Sequence, residues 1–384
     1  MTKTREKAAV QEGRKLLRVN VLYLLGRLGL KTLRAKVFFA GLVFIVGTLV
    51  VVCGVAYWSF YSAIDTSPEL RQSASRAAKT IDMLVFENVE FAKSIASDPY
   101  IVDKAEKAAQ LAESLGVRSQ PDAGQILDLE TRYNKTRILQ PDPALNEFLA
   151  EKSRVKGVFQ RMFFTDRYGL NVGMTGMSED FVQSDEAWWQ EAMKRGVYID
   201  DVGFDKPTGT WALEICVAIP HPRTGQPNGV LKVKYNLMDA EQAIAEFKQR
   251  ESDYAYAVNQ AGLYVLHKEP AKRDQPIEPE LANAGLLKSA SENDAGVINY
   301  RGLNPETKKV EDRIASFSKS QGFSLNGVRY QGLGWIFIVD NSRAEIFSPA
   351  YRMLGRMIII GIVMLLLLSG FAYLFSSSLS GAVR

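Results

Sequence analysis

The sequence predicts an α+β protein: a long helix, then two modules built on antiparallel sheets, the whole flanked by two transmembrane helices. Three observations carry this. Two uncharged apolar runs lie towards the two ends of the 384 residues. Helical periodicity dominates up to about residue 153, with short strand-like stretches beyond it. Those stretches are joined by Gly-, Pro- and Asn-containing turns, so hairpins outnumber βαβ crossovers.

The first apolar run is Val37 to Trp58, and its 22 uncharged positions would span about 33 Å as a helix. It starts too late and runs too long for a cleaved signal peptide, so an uncleaved anchor is expected. The second, Met357 to Phe375, is just long enough to cross. Tyr57, Trp58, Phe60 and Tyr61 close the first run and Tyr373 lies near the end of the second, which suits an interfacial belt.

Charge is segregated. The first 36 residues hold ten Lys or Arg against Glu6 and Glu12, whereas residues 59–352 carry a net −6. A basic end and an acidic body point to different compartments. The N-terminus is therefore expected in the cytoplasm and residues 59–352 outside it, in the periplasm of a bacterium with a two-pass inner-membrane protein. Residues 353–376 return the chain, and 377–384 form a short cytoplasmic tail. Within 1–36, residues 14–36 mix Leu and Val with Arg and Lys at spacings of three and four. They read as an amphipathic helix on the inner leaflet or as a plain extension of the first span. Tethered and Leu-rich, this stretch does not suggest nucleic-acid binding. Cys53 sits in the first apolar run and Cys216 in the body, so no intramolecular disulfide is expected.

In the outer part, Leu70, Ala74, Ala77, Ile81, Val85 and Val89 recur at helical spacing, giving a helix from Ser67 to about Leu115, broken near Asp98–Pro99. Residues 124–153 read as helical with a break at Pro141–Pro143. Strands follow at 158–164 and 170–175 around the turn Thr165–Gly169, then a helix over 178–195 containing Trp188 and Trp189. Three strands, 198–204, 210–219 and 229–237, precede a helix over 238–249. A smaller module of the same kind comes next, with strands at 254–258 and 263–267, a helix near 279–290, and strands at 296–300, 313–318 and 335–339. A helix from about Ser342 leads into the second span.

Nothing indicates an enzyme or a bound cofactor. His221 and His267 make no metal-ligand spacing, and there is no P-loop, no G-x-S-x-G and no C-x-x-C. Asp200 and Asp201 are strand neighbours that point to opposite faces, which does not suit paired acid–base work.

Residues 157–237 resemble the Cache family of extracytoplasmic sensor domains, relatives of the PAS fold. FFTDRYGLNVGMTG (163–176) is similar to the family's F-x-D-x-x-G hairpin, and SDEAWWQEA (184–192) to its aromatic-pair helix. Residues 198–237 follow its strand–turn–strand course and closing hairpin. The architecture resembles a double Cache domain, with a distal module over about 120–250 and a membrane-proximal one over about 251–341. The resemblance implies a ligand site under the aromatic-pair helix, with Trp188 and Trp189 on the helix and Tyr198, Asp200, Asp201 and Asp205 beside it. The family's amino-acid-binding branch has an Arg two residues before the first aromatic and an Asp on the last strand. Here Glu186 and Lys234 stand at those positions, so both anchors are charge-reversed. An Arg fork grips a carboxylate, and Glu186 would repel one. A polar or cationic ligand against the indoles and acids fits this reversal, although Lys234 could instead read an anion. Read without the resemblance, the Trp pair is core, and the three aspartates are turn and solvated strand-end residues.

The resemblance implies a receptor that passes ligand binding across the membrane, as a homodimer or through a partner membrane protein. A docking subunit of a larger membrane complex, binding no ligand, is the alternative. Receptors of this type usually continue beyond the second span into an output module. The sequence stopping at Arg384 implies either a longer receptor or an output carried by another chain.

Overall fold

A computed structural model describes residues 33–65, 68–118, 121–133, 137–178, 180–206, 208–247, 253–304, 307–325 and 328–381. The stretch read as amphipathic, 14–36, lies outside the described residues up to position 32, as do the last three residues of the tail. The chain divides into two units, residues 1–67 with 344–384, and Pro68–Arg343.

In the first unit, helix α1 runs Leu33–Asp65. It contains an apolar stretch, Val46–Ser59, shorter than a span. In the second unit, α2 (Pro68–Ala96) buries Ala74, Ala77, Ala78, Ile81, Val85 and Val89, the face read from the sequence. The break falls where Pro99 stands. Asp98 caps the next helix, α3 (Pro99–Ser114), by accepting the Tyr100 N–H, and Pro99 fills a first-turn position that needs no donor. Helix α4 (Ala123–Tyr133) and helix α5 (Pro143–Lys156) follow, the latter capped by Asp142 and ended by Gly157 at φ 70°.

The distal sheet comprises β1 (Phe159–Thr165), β2 (Asn171–Met174), β3 (Val197–Ile199), β4 (Gly203–Asp205), β5 (Thr210–Pro220) and β6 (Pro227–Tyr235). Its order is β2-β1-β6-β5-β3, with β4 also pairing with β5, and every pairing is antiparallel. The single strand expected over 198–204 is two: Asp200 still donates its N–H to the Glu214 carbonyl at 2.9 Å, and the chain then leaves the pairing at Asp201–Val202. The helix expected over 178–195 shrinks to α6, Ala187–Arg195. The segment before it is a strap: Leu170 bridges Val182, and Gln183 donates its N–H to the Gly169 carbonyl. Glu130 on α4 accepts the N–H groups of Phe181 and Val182 at 2.6 and 2.7 Å, taking the donors a helix would have used.

Helix α7 (Met238–Ala245) leads to the proximal sheet. Its strands are β7 (Tyr254–Val258), β8 (Tyr264–Leu266), β9 (Ala295–Leu303), β10 (Val310–Lys319) and β13 (Ile336–Ser342), in the order β8-β7-β13-β10-β9. The helix expected near 279–290 is two short ones, α8 (Pro279–Asn283) and α9 (Leu286–Glu292), with Gly285 at φ 88° between them. A small hairpin that the sequence does not announce, β11 (Phe323–Leu325) with β12 (Val328–Tyr330), lies between β10 and β13. The main core packs α2 between residues of both sheets: Ile81, Val85 and Val89 share it with Leu213, Val233, Val265, Trp335 and Phe337.

The chain returns to the first unit in α10 (Arg343–Gly381). Among the described residues one helical stretch is long and apolar enough to cross a membrane, Arg343–Leu367. Inside this unit α1 and α10 touch. Tyr61 meets Phe347 at 5.5 Å between ring centroids, and a Cβ on Gly361 would fall 2.7 Å from Leu49 Cδ2.

Candidate functional site

The site begins with a turn. Asp166 is fully buried, and its Oδ1 accepts the N–H groups of Tyr168 and Leu170 at 2.9 and 3.0 Å. Burial pushes its carboxyl up to about 7, against the pull of these backbone donors and Arg167. Gly169 sits at φ +80°, and a Cβ there would lie 2.5 Å from the Ser184 nitrogen. The acid and glycine of the D-x-x-G turn thus hold the strap that carries α6, and neither lines the cavity beneath that helix.

The strap delivers the two tryptophans to α6, where adjacent side chains diverge by about 100°. Trp189 turns inwards and donates its indole N–H to Thr165 Oγ1 at 2.8 Å. Trp188 meets Phe163 edge-on, with ring centroids 5.9 Å apart, and carries the Lys232 ammonium 4.2 Å from its own centroid. It lines a cavity of about 430 Å³ between α6, the strap and the sheet, together with Glu186, Asp200, Asp205 and Lys234.

The cavity floor is a row of charges set by strand register. Arg161 on β1 lies opposite Lys234 on β6, which lies opposite Glu214 on β5. Lys232, two residues before Lys234, faces the same way. Lys234 Nζ reaches Asp205 Oδ1 at 2.8 Å and Glu214 Oε1 at 2.7 Å, Lys232 reaches Glu214 Oε2 at 2.6 Å, and Arg161 reaches Asp205 at 3.4 Å. Thr208 adds a 2.6 Å bond to the other Asp205 oxygen. Burial alone would raise Glu214 and Asp205. The lysines hold Glu214 below its ordinary range, and Lys234, Thr208 and Arg161 do the same for Asp205. For Lys234, burial lowers, but Glu214 and Asp205 outweigh it and raise the ammonium.

The rim is acidic. Asp180 and Glu186 make no ion pair among the described residues, and burial together with Asp185 raises Glu186. The sequence points to Lys234, Glu186 and Asp205 but not to Arg161, Lys232 or Glu214. Period-two spacing in Lys232-Val233-Lys234 is the available signal for one of them.

The remaining sequence-named residues are placed elsewhere. Tyr198 and Asp201 do not line this cavity; they face a second one, of about 450 Å³, between the distal and proximal sheets. Tyr198 donates to Asp200 at 3.3 Å. Asp201 accepts the Trp335 indole N–H at 3.1 Å and the Asn259 amide at 3.4 Å. Asp200 lines both cavities. Among the described residues no group of three His, Cys, Asp or Glu is placed to hold a metal ion.

No family model matches the sequence, and no curated protein sequence matches it. Solved structures do. The sensory domain of the Campylobacter jejuni chemoreceptor Tlp3 is 15% identical, covers 76% of this chain and 99% of its own, and superposes with a TM-score of 0.47. The ligand-binding domain of the Pseudomonas aeruginosa amino acid chemoreceptor PctB, in complex with L-Arg, is 14% identical over 76% of this chain and 92% of that one, with a TM-score of 0.47. The corresponding domain of the Pseudomonas fluorescens chemoreceptor CtaA, in complex with L-isoleucine, is 14% identical over 76% and 97%, with a TM-score of 0.46. These are Cache-type sensory domains, the type that residues 157–237 resemble. Likeness at this level assigns neither ligand nor function to this chain.

Proposed function

We propose that this chain is a transmembrane receptor whose distal module binds a small polar ligand in the cavity beneath α6. One observation carries the reading: a cavity of about 430 Å³ whose floor is a row of strand-borne charges and whose rim holds two carboxylates, Asp180 and Glu186, that have no ion-pair partner among the described residues. The Lys232 ammonium already occupies the face of Trp188, so a ligand cation is met by Asp180, Glu186 and Asp200 rather than by the indole. An anionic group on the same molecule competes with Glu214 and Asp205 for the floor cations. A ligand bearing an ammonium group, with or without an anion, therefore fits best.

The two apolar runs and the basic N-terminal segment support a two-pass arrangement, with residues 59–352 on the periplasmic side of the inner membrane. Binding shifts the balance between two arrangements of the domain by its differential affinity for them, and α2 and α10 join the domain to the spans in sequence. Pairing along α2, or a partner membrane protein, would carry the output.

The test uses the full chain in lipid nanodiscs, screened by thermal shift against amines, carboxylates, amino acids, purines and sugars. A ligand at about a hundred times its Kd stabilises by about 2.7 kcal/mol. The expected hit contains an ammonium group and is weakened by Glu186→Gln and by Lys234→Met. A flat response to every class, with the chain recovered stoichiometrically in a larger complex, replaces the receptor with a docking subunit. A protease added outside spheroplasts should cut the body; complete protection would overturn the topology.

A further inference from the structure

The cavity between the two sheets is built differently from the one beneath α6. It has a volume of about 450 Å³, and both modules contribute to it. Tyr198, Asp200 and Asp201 come from the distal side; Asn259, Gln260 and Trp335 come from the proximal side. Among the described residues its charged lining is the two aspartates, whereas the cavity beneath α6 has four cations in its wall. Its apolar walls come from Ile199, Leu213 and Leu333, and Trp335 is 1% exposed, fixed by its indole bond to Asp201.

We propose that this junction cavity is a second ligand site, for a small organic cation: an ammonium group with a short apolar body. The carboxylates of Asp200 and Asp201 take the ammonium, the Gln260 amide oxygen offers a further acceptor, and the aliphatic walls take the body. A carboxylate-bearing molecule is turned away, because no described residue of the wall is a cation. An occupant touches both modules and so favours the arrangement in which they are clasped.

The site has physical connections in two directions. Asp200 is shared with the cavity beneath α6. On the proximal side, Leu333 donates its N–H to Ser320 Oγ at 2.7 Å, and Ser320 Oγ donates to Asp82 on α2 at 2.5 Å. The Ser320 N–H in turn bonds the Trp335 carbonyl at 2.8 Å. A cation in the junction thus bears on the distal cavity at one end and on the long helix at the other.

The test is isothermal titration of the full chain in nanodiscs with n-butylammonium chloride, with sodium butyrate as the anionic control. Saturable binding of butylammonium and none of butyrate is expected. Asp201→Asn, an isosteric change at an exposed position, and Ala261→Trp, which fills the cavity from an exposed turn, should each weaken binding about tenfold or more. Glu186→Gln, on the rim of the other cavity, should leave intact the binding event that the junction changes weaken, and reduce only a separate event at the cavity beneath α6. Three results would overturn the assignment: no saturable butylammonium binding to the wild type, equal binding of butyrate, or binding that survives both junction changes. Loss on Glu186→Gln alone would move the ammonium to the cavity beneath α6.

Discussion

Asp82 is 3% exposed on the long helix α2, where it fastens that helix to the β10–β11 turn. One oxygen accepts the Ser320 hydroxyl at 2.5 Å and the other the Gly322 N–H at 3.3 Å. Burial pushes its carboxyl from 3.8 up to about 6, despite these hydrogen bonds. Between those two values the native protein holds a proton that the unfolded chain has released, so stability falls as pH rises through the window. At about 1.4 kcal/mol per pH unit, the ionised group costs the fold about 3 kcal/mol by neutral pH. Asp82→Asn cannot titrate. It keeps an acceptor for Ser320 but turns an amide towards the Gly322 N–H, a loss of about 1–3 kcal/mol. The variant should therefore be the less stable protein near pH 4 and should equal or exceed the wild type near pH 7, the gap closing by about 3 kcal/mol. For a domain of this size that is about 6–12 °C in melting temperature. Thermal melts of the full chain in nanodiscs, followed by tryptophan fluorescence across this range, measure it. Parallel pH curves for the two proteins would show that the buried carboxyl titrates like a free one, and the reasoning would fail.

Further outcomes follow from the same physics. Gly169→Ala places a Cβ 2.5 Å from the Ser184 nitrogen and should cost more than about 2 kcal/mol by urea melt. Gly196→Ala, with a similar φ and nothing within 4 Å, should cost only about 1 kcal/mol. Glu214→Gln leaves Lys232 and Lys234 without their shared carboxylate and should destabilise the fold by about 2–4 kcal/mol, read by the same melts. His267 is buried among Tyr254, Tyr256 and Tyr264, and burial together with Lys272 lowers its imidazole from 6.5 to about 4. The unfolded chain binds the proton first as pH falls, so this group's stabilisation is complete above 6.5 and lost as pH drops towards 4. An NMR titration should show His267 neutral at pH 5.5; a midpoint near 6.5 would contradict its burial.

The family resemblance rests on a turn and an aromatic pair, and the structure gives those residues different tasks. The D-x-x-G turn is legible in sequence because its chemistry is local: Asp166 bonds to N–H groups two and four residues ahead, and Gly169 supplies the positive φ. The capped breaks at Asp98–Pro99 and Asp142–Pro143 are legible for the same reason. The strap over 178–186 is not, because the acceptor for its N–H groups is Glu130, some fifty residues earlier.

By itself the sequence determined the class, the apolar runs, the segregated charge and most strands, since each depends on the period of a few neighbouring residues. Tertiary structure alone decided which charges share a cavity. Strand register put Arg161, Lys234 and Glu214 in one row, and the packing of two sheets turned Asp201 towards Trp335 while its neighbour Asp200 borders both cavities. A side chain's partners across a sheet or between sheets depend on pairing between distant segments, and no local pattern records that pairing.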